Sequence, residues 1–137
     1  MGLCVRWVRG LALSCLVLGG ILVGGGLVTV AHEIARATGH DLLLDEADIP
    51  VRQEVEGVCD VLGYDPYYLA CEGRVVAISE PDRVEEILAL WRKLPDGEAA
   101  AAIGTVGKGR ARVILRTELG GERFLDELEE DALPRIC

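Results

Sequence analysis

The chain ends in a cysteine, and a thiol on a terminal tail can do what a packed one cannot: take up a group at one site and deliver it at another. Cys137 closes the stretch Leu133-Pro134-Arg135-Ile136-Cys137, which follows the acidic run Glu127-Leu128-Glu129-Glu130-Asp131. Counted from Glu127, the tail has a full-extension reach of ~36 Å. Its nucleophilic form is the thiolate. The chain's own α-carboxylate opposes that form, whereas Arg135 or a positive charge on a partner assists it. The other cysteines are Cys4, Cys15, Cys59 and Cys71, making an odd total of 5 with no C-x-x-C pair. Neither His32 nor His40 stands at ligand spacing from a cysteine pair, so no metal is expected. Free thiols are the expected state, because a chain of this size can build a core without disulfide staples. Two glycine-rich stretches also have chemical potential. Gly24-Gly25-Gly26 lacks the following Lys-Ser/Thr of a phosphate loop. Gly107-Lys108-Gly109-Arg110 reads as a solvated hairpin, with anion contact the alternative.

These residues sit in 137 residues, enough for one domain, of which 50% are apolar and 27% charged. A net charge of −9 excludes a nucleic-acid groove, which needs clustered Lys and Arg to displace counterions. The charge is uneven. Residues 1–26 contain Arg6 and Arg9 and no acid, while all 23 acidic residues lie beyond. Residues 10–31 form an uncharged run whose helical length, ~33 Å, matches a bilayer. Arg6 and Arg9 before it resemble the flank of an anchor or a signal peptide. Gly19-Gly20 and Gly24-Gly25-Gly26 weaken any such helix. A membrane-anchored chain is therefore the alternative to a cytoplasmic one.

From Leu27 the pattern is that of an α/β domain. Leu27, Val30, Ala31, Ile34 and Ala35 predict a helix stopped by Gly39, with His32 as a partly exposed helix residue. Asp41–Leu44 predicts a short strand. Arg52–Leu62 predicts a second helix, with Val55, Val58, Cys59 and Leu62 inward and Gly63 at its end. Tyr67–Ala70 and Arg74–Ile78 read as strands joined through Cys71-Glu72-Gly73. Asp82–Lys93 predicts a third helix with Val84, Ile87, Leu88 and Trp91 as its apolar stripe. Ala100–Val106, Ala111–Thr117 and Arg123–Leu125 complete the strand candidates.

The ending Pro134-Arg135-Ile136-Cys137 resembles the C-terminal signature of the HypE family, the hydrogenase-maturation carbamoyl dehydratases of the PurM-like, AIR synthase-related superfamily. Upstream, Gly25-Gly26-Leu27 with His32-Glu33-Ile34-Ala35 is similar to the family's R-G-G-L…N-E-I-A helix. Asp48-Ile49-Pro50-Val51-Arg52 matches I-P-V-R, and Leu62-Gly63-Tyr64-Asp65-Pro66 resembles L-G-L-D-P. Glu72-Gly73-Arg74-Val75-Val76-Ala77 resembles N-E-G-K-L-V-A. Ile114-Leu115-Arg116-Thr117 with Gly120-Gly121-Glu122-Arg123 matches V-L-R-T…G-G-x-R. The resemblance spans about residues 25–137 and implies an α/β layered domain with a mixed sheet, like a truncated PurM-like C-terminal domain.

It also implies a chemistry. The terminal thiol, here Cys137, receives a carbamoyl group from a HypF-type carbamoyltransferase. ATP-dependent dehydration leaves a thiocyanate, and its cyanide passes to iron on a HypC–HypD scaffold. Glu72 matches a family glutamate near the modified thiol, where a carboxylate can remove an amide proton; its other reading is a solvated turn residue. The family's ATP-binding domain has no counterpart here, and His32 and Cys71 stand where the family usually has asparagine. The expected organisation is an apolar segment at 1–24 foreign to the family, a PurM-like domain at 25–126 and a mobile tail at 127–137. Such a chain is expected to be inactive alone, as a fragment whose start arose from a wrong start, a frameshift or a gene remnant. A membrane-tethered α/β interaction protein and a nonfunctional remnant are the competing readings.

Overall fold

The computed structural model describes residues 2–7, by their backbone path, together with 26–71 and 74–127. Strand β1 (Gly2–Trp7) is followed by helix α1 (Leu27–Thr38), β2 (His40–Asp45), helix α2 (Gln53–Leu62) and β3 (Val75–Ser79). Helix α3 (Val84–Trp91), β4 (Ala101–Lys108), β5 (Val113–Arg116) and β6 (Glu122–Phe124) complete the chain. The strands form one mixed sheet in the order β3-β1-β4-β2-β5-β6. β1 runs parallel to both neighbours, β2 is antiparallel to β4 and parallel to β5, and β6 returns antiparallel to β5. The fold class is thus the α/β layered one that the pattern and the resemblance imply.

The layers follow from the two-residue period of a strand. Ala101 and Ile103 of β4 pack into the cluster built around Val28, Ala31 and Ala35 of α1 with Leu42, Leu44, Val113 and Leu115. Ala100 and Ala102 join the separate cluster beneath α3, with Val84 and Leu88. Consecutive residues of one strand point to opposite faces, so α1 and α3 cover opposite faces of the sheet. The register against β1 slips between Cys4 and Val5, where Ile103 is the extra residue of β4. Leu42, Leu44, Ile103 and Leu115 are wholly buried, and each such side chain contributes roughly 1.5–3 kcal/mol.

The predicted helix ends hold. Gly39 and Gly63 terminate α1 and α2 in the left-handed region at φ 68° and 72°, a conformation that glycine adopts without Cβ strain. Three predicted features do not. Residues 66–68 form a 3-10 turn rather than a strand, because the Asp65 carboxylate accepts the Tyr67 N–H at 3.0 Å and Pro66 presets the turn. On α2 only Cys59 is buried, whereas Val58 and Leu62 are 57% and 59% exposed and Val55 is exposed as well. Periodicity showed an apolar stripe there, but among the described residues no neighbouring element covers it. Finally, β4 and β5 are not hairpin partners, since β2 lies between them.

That last difference explains the glycine loop. Crossing from β4 to β5, it closes over the start of β2, and the anion it holds is internal. The buried Asp41 carboxylate accepts the backbone N–H groups of Arg110 at 2.7 Å and Arg112 at 2.9 Å, plus the Arg112 guanidinium. A Cβ at Gly109 would lie 1.9 Å from the Asp41 carboxyl carbon, so only glycine fits. Burial pushes the Asp41 pKa up, but the Arg112 side chain and the two backbone donors together outweigh it and hold the group below its ordinary 3.8. A carboxyl depressed in the folded state stabilises fully above its unfolded value and loses that contribution as pH falls through the folded one. Asp41→Asn is therefore expected to lower the urea midpoint at pH 7 and to flatten its decline below about pH 4. Parallel midpoint-against-pH curves for the two proteins would contradict this assignment.

Candidate functional site

Glu72 and the tail residues Pro134, Arg135, Ile136 and Cys137 lie outside the described residues, as does most of the apolar run 10–31. The last residues of that run, from Leu27, belong to α1, which packs against the sheet. Among the described residues no helix is long and apolar enough to cross a membrane. The structure does describe the two points from which Glu72 and Cys137 depart.

The loop containing Glu72 leaves from Cys71, a half-buried free thiol, and returns at Arg74, whose guanidinium donates to Pro50 O at 3.5 Å. Before it stands the 3-10 turn Pro66–Tyr68, packed directly over the start of α1. A Cβ at Gly26, the N-cap of α1, would lie 2.7 Å from the Tyr68 carbonyl carbon and oxygen. The second glycine of the Gly25-Gly26-Leu27 motif is therefore needed for backbone approach.

The tail departs from Leu125–Glu127, directly after β6. The Leu125 side chain is buried in the α1 cluster, and its N–H donates to Val113 O at 3.0 Å. Its carbonyl lies 2.6 Å from His32 Nε2; a carbonyl only accepts, so Nε2 carries the hydrogen. His32 is half-buried, as the sequence predicts, and it ties α1 to the tail. The Tyr68 hydroxyl donates to Asp126 O at 2.9 Å. Arg36 grips the Glu127 carboxylate through both terminal nitrogens, at 2.5 and 3.2 Å. That guanidinium holds the Glu127 carboxyl below its ordinary value. Burial, with Asp65 and other nearby carboxylates adding to it, raises both tyrosines, Tyr67 to about 12, so Tyr68 remains a donor. Arg123 reaches Asp65 at 2.6 Å and fastens β6 to the same turn.

The loop and the tail therefore start from one corner. Tyr68 touches the tail root and precedes Glu72 by four residues, a contour of at most ~14 Å. The ten residues from Leu128 to Cys137 span at most ~35 Å. His32, Arg36 and Tyr68 carried no sequence signal for this role, since their partners lie between 58 and 93 positions away. Among the described residues, no three His, Cys, Asp or Glu groups converge to hold a metal. The Gly107–Arg110 loop is occupied by Asp41, and no nucleotide phosphate is assigned to it.

Residues 22–116 match the family model for AIR synthase related protein, C-terminal domain. The chain is similar to carbamoyl dehydratase HypE of Rhodobacter capsulatus, 41% identical over 85% of this chain and 34% of that one. It is likewise similar to HypE of Cupriavidus necator, 45% identical over 82% and 32%. Among solved structures, one of hydrogenase maturation protein HypE superposes with a TM-score of 0.76 at 41% identity, covering 82% of this chain and 37% of that one. HypE in complex with ATP gives 0.72 at 38% identity, covering 79% and 34%. A HypE–HypF complex gives 0.72 at 32%, covering 76% and 34%. The chain spans about a third of the length of the curated relatives it matches.

Proposed function

Because the chain belongs to the AIR synthase related family through that family's C-terminal domain, we propose that it is the substrate-carrying part of a HypE-type carbamoyl dehydratase acting in [NiFe]-hydrogenase maturation. The supporting observation is that the root of the tail ending in Cys137 is hydrogen-bonded at Asp126 by Tyr68, four residues before Glu72. Residues 25–126 are the supporting domain and 127–137 the carrier tail; residues 1–24 precede them, with the family match beginning at residue 22 and Gly2–Trp7 paired within the sheet.

Cys137 attacks the carbamoyl carbon on a HypF-type carbamoyltransferase as thiolate, forming an S–C bond and releasing the donor's leaving group. The tail then swings the S-carbamoyl group to Glu72. Conversion to thiocyanate removes the carbonyl oxygen and both amide hydrogens; Glu72 accepts an N–H proton as the C–N multiple bond forms. ATP supplies the activation that turns the oxygen into a leaving group, and its binding is assigned to the part of the longer relatives that this chain does not span. The acceptor of the cyanide is an iron-bearing HypC–HypD scaffold.

The two stages can be separated experimentally. With transferase, carbamoyl phosphate and ATP, the chain should load to the carbamoyl adduct and stop. Adding the ATP-binding portion of a HypE relative in trans should convert that adduct to thiocyanate, read as loss of one water by intact mass. Conversion without the added portion would show that the chain dehydrates alone and overturn the division of labour. Failure of the folded chain to load would overturn the carrier reading itself.

A further inference from the structure

Strand β1 holds an interior place in the sheet with no local connection to it. It lies between β3 and β4 and runs parallel to both, Gly2 pairing with Val75 and Leu3 with Ala101. Its own continuation, residues 8–26, leads to α1 rather than to either neighbour. The two neighbours are instead connected to each other, because β3 leads through α3 into β4 and α3 passes over β1 on the way. Such a crossover joins parallel strands of one sheet, and here it skips one strand position. Residues 75–108 therefore build two walls and one cover of a strand-wide gap, ~10 Å from β3 to β4.

The walls are held unequally. β4 is paired on its other side with β2, from His40–Lys108 to Leu44–Gly104. β3 is a sheet edge, and among the described residues β1 is its only ladder partner. The family match begins at residue 22, so the strand that fills the gap lies outside it. We propose that the gap between β3 and β4 is an acceptor site for an extended, apolar peptide, and that Gly2–Trp7 is its tethered, exchangeable occupant. Walls and occupant come from separate segments, so the occupant can leave without unthreading the walls. Recognition is by the backbone, since a strand placed there bonds to a wall on each side, a two-sided form of strand addition. An apolar sequence suits the site, because parallel strands covered on both faces carry near-continuous apolar runs, as Leu3-Cys4-Val5 does. The site involves neither Cys137 nor Glu72 and is independent of the carrier reading.

The test uses the full chain. Residues two apart in a strand direct their N–H groups to the same side, so Leu3→Pro with Val5→Pro removes two ladder donors from one wall. This double variant should have a lowered thermal midpoint. A fluorescent peptide with the sequence of residues 1–9, kept reduced, should bind it saturably and raise the midpoint toward wild type. The same peptide carrying both prolines should do neither. The wild-type chain should take up the peptide at least about tenfold more weakly, because its own strand competes at an effective concentration on the order of 1 mM. A second arm needs no proline: a protease site inserted between Gly10 and Leu11 is cut in the folded protein, and excess labelled peptide should then replace the freed strand at one per chain. A double-proline variant as stable as wild type would overturn the place of β1 in the gap. Peptide entering neither the variant nor the cut chain would overturn the acceptor site. Equal uptake by wild type and variant, or rescue by the proline peptide, would place binding elsewhere and overturn it as well.

Discussion

Cys137→Ala is expected to leave the chain folded and its carbamoyl uptake at the background of a transferase-free reaction. The substituted side chain lies ten residues past Glu127, beyond Leu125, the last core residue among the described ones. The chemical loss should be complete, because neither thiol among the described residues is free to take over the role. Cys59 is buried, and Cys71 is held half-buried at the edge of its loop. Cys71→Ser is therefore the matched control and should load as the wild type does. Cyanate released from carbamoyl phosphate modifies exposed amines and thiols slowly, and the transferase-free reaction measures that baseline. Uptake by Cys137→Ala at the wild-type rate would move the acceptor elsewhere and dissolve the role assigned to the tail.

The second large effect concerns the sheet that carries this machinery. β4 lies between β1 and β2, and Gly104 pairs with Val5 on one side and Leu44 on the other. A Cβ there would lie 2.1 Å from Leu43 O and 2.9 Å from Leu44 Cα, both backbone atoms of the neighbouring strand. Neither can yield without opening the β2–β4 ladder. Gly104→Ala is expected to cost about 3 kcal/mol or more, a large share of the ~5–15 kcal/mol that holds a domain together. Much of the protein should consequently be unfolded or aggregated at 37 °C. Gly57 provides the opposite case. It lies inside α2 with nothing within 4 Å of a built Cβ, so Gly57→Ala should stabilise by roughly 0.5–1 kcal/mol through helix propensity. Urea midpoints moving in opposite directions would support both readings, and a Gly104→Ala midpoint equal to wild type would refute the packing argument.

The contrast between these glycines shows what the sequence could disclose. Gly39 and Gly63 follow amphipathic runs, and their role as helix stops is local, so it was legible. Gly104 and Gly109 are glycines because a strand and a carboxylate distant in sequence pass close by, which no local pattern reveals. The same reason defeated the expected hairpin: the partner of β4 is β2, more than 60 residues earlier. Tyr67–Ala70 looked like a strand from its residue types, yet the Asp65 cap and Pro66 decided the backbone. The stripe on α2 was real as a pattern, but periodicity reports an apolar face without reporting whether anything covers it. At the site, the terminal cysteine stood out by its residue type and position and Glu72 came from the resemblance, whereas His32, Arg36 and Tyr68 emerge only from contacts across the fold.

The measurement that bears most directly on the carrier role is the mass of the C-terminal peptide after incubation with a HypF-type carbamoyltransferase, carbamoyl phosphate and ATP. The account predicts a carbamoyl adduct on Cys137, with the peptides containing Cys4, Cys15, Cys59 and Cys71 unmodified above the transferase-free baseline. An adduct confined to another residue, or an unmodified C-terminal peptide from folded protein with active transferase, would contradict it.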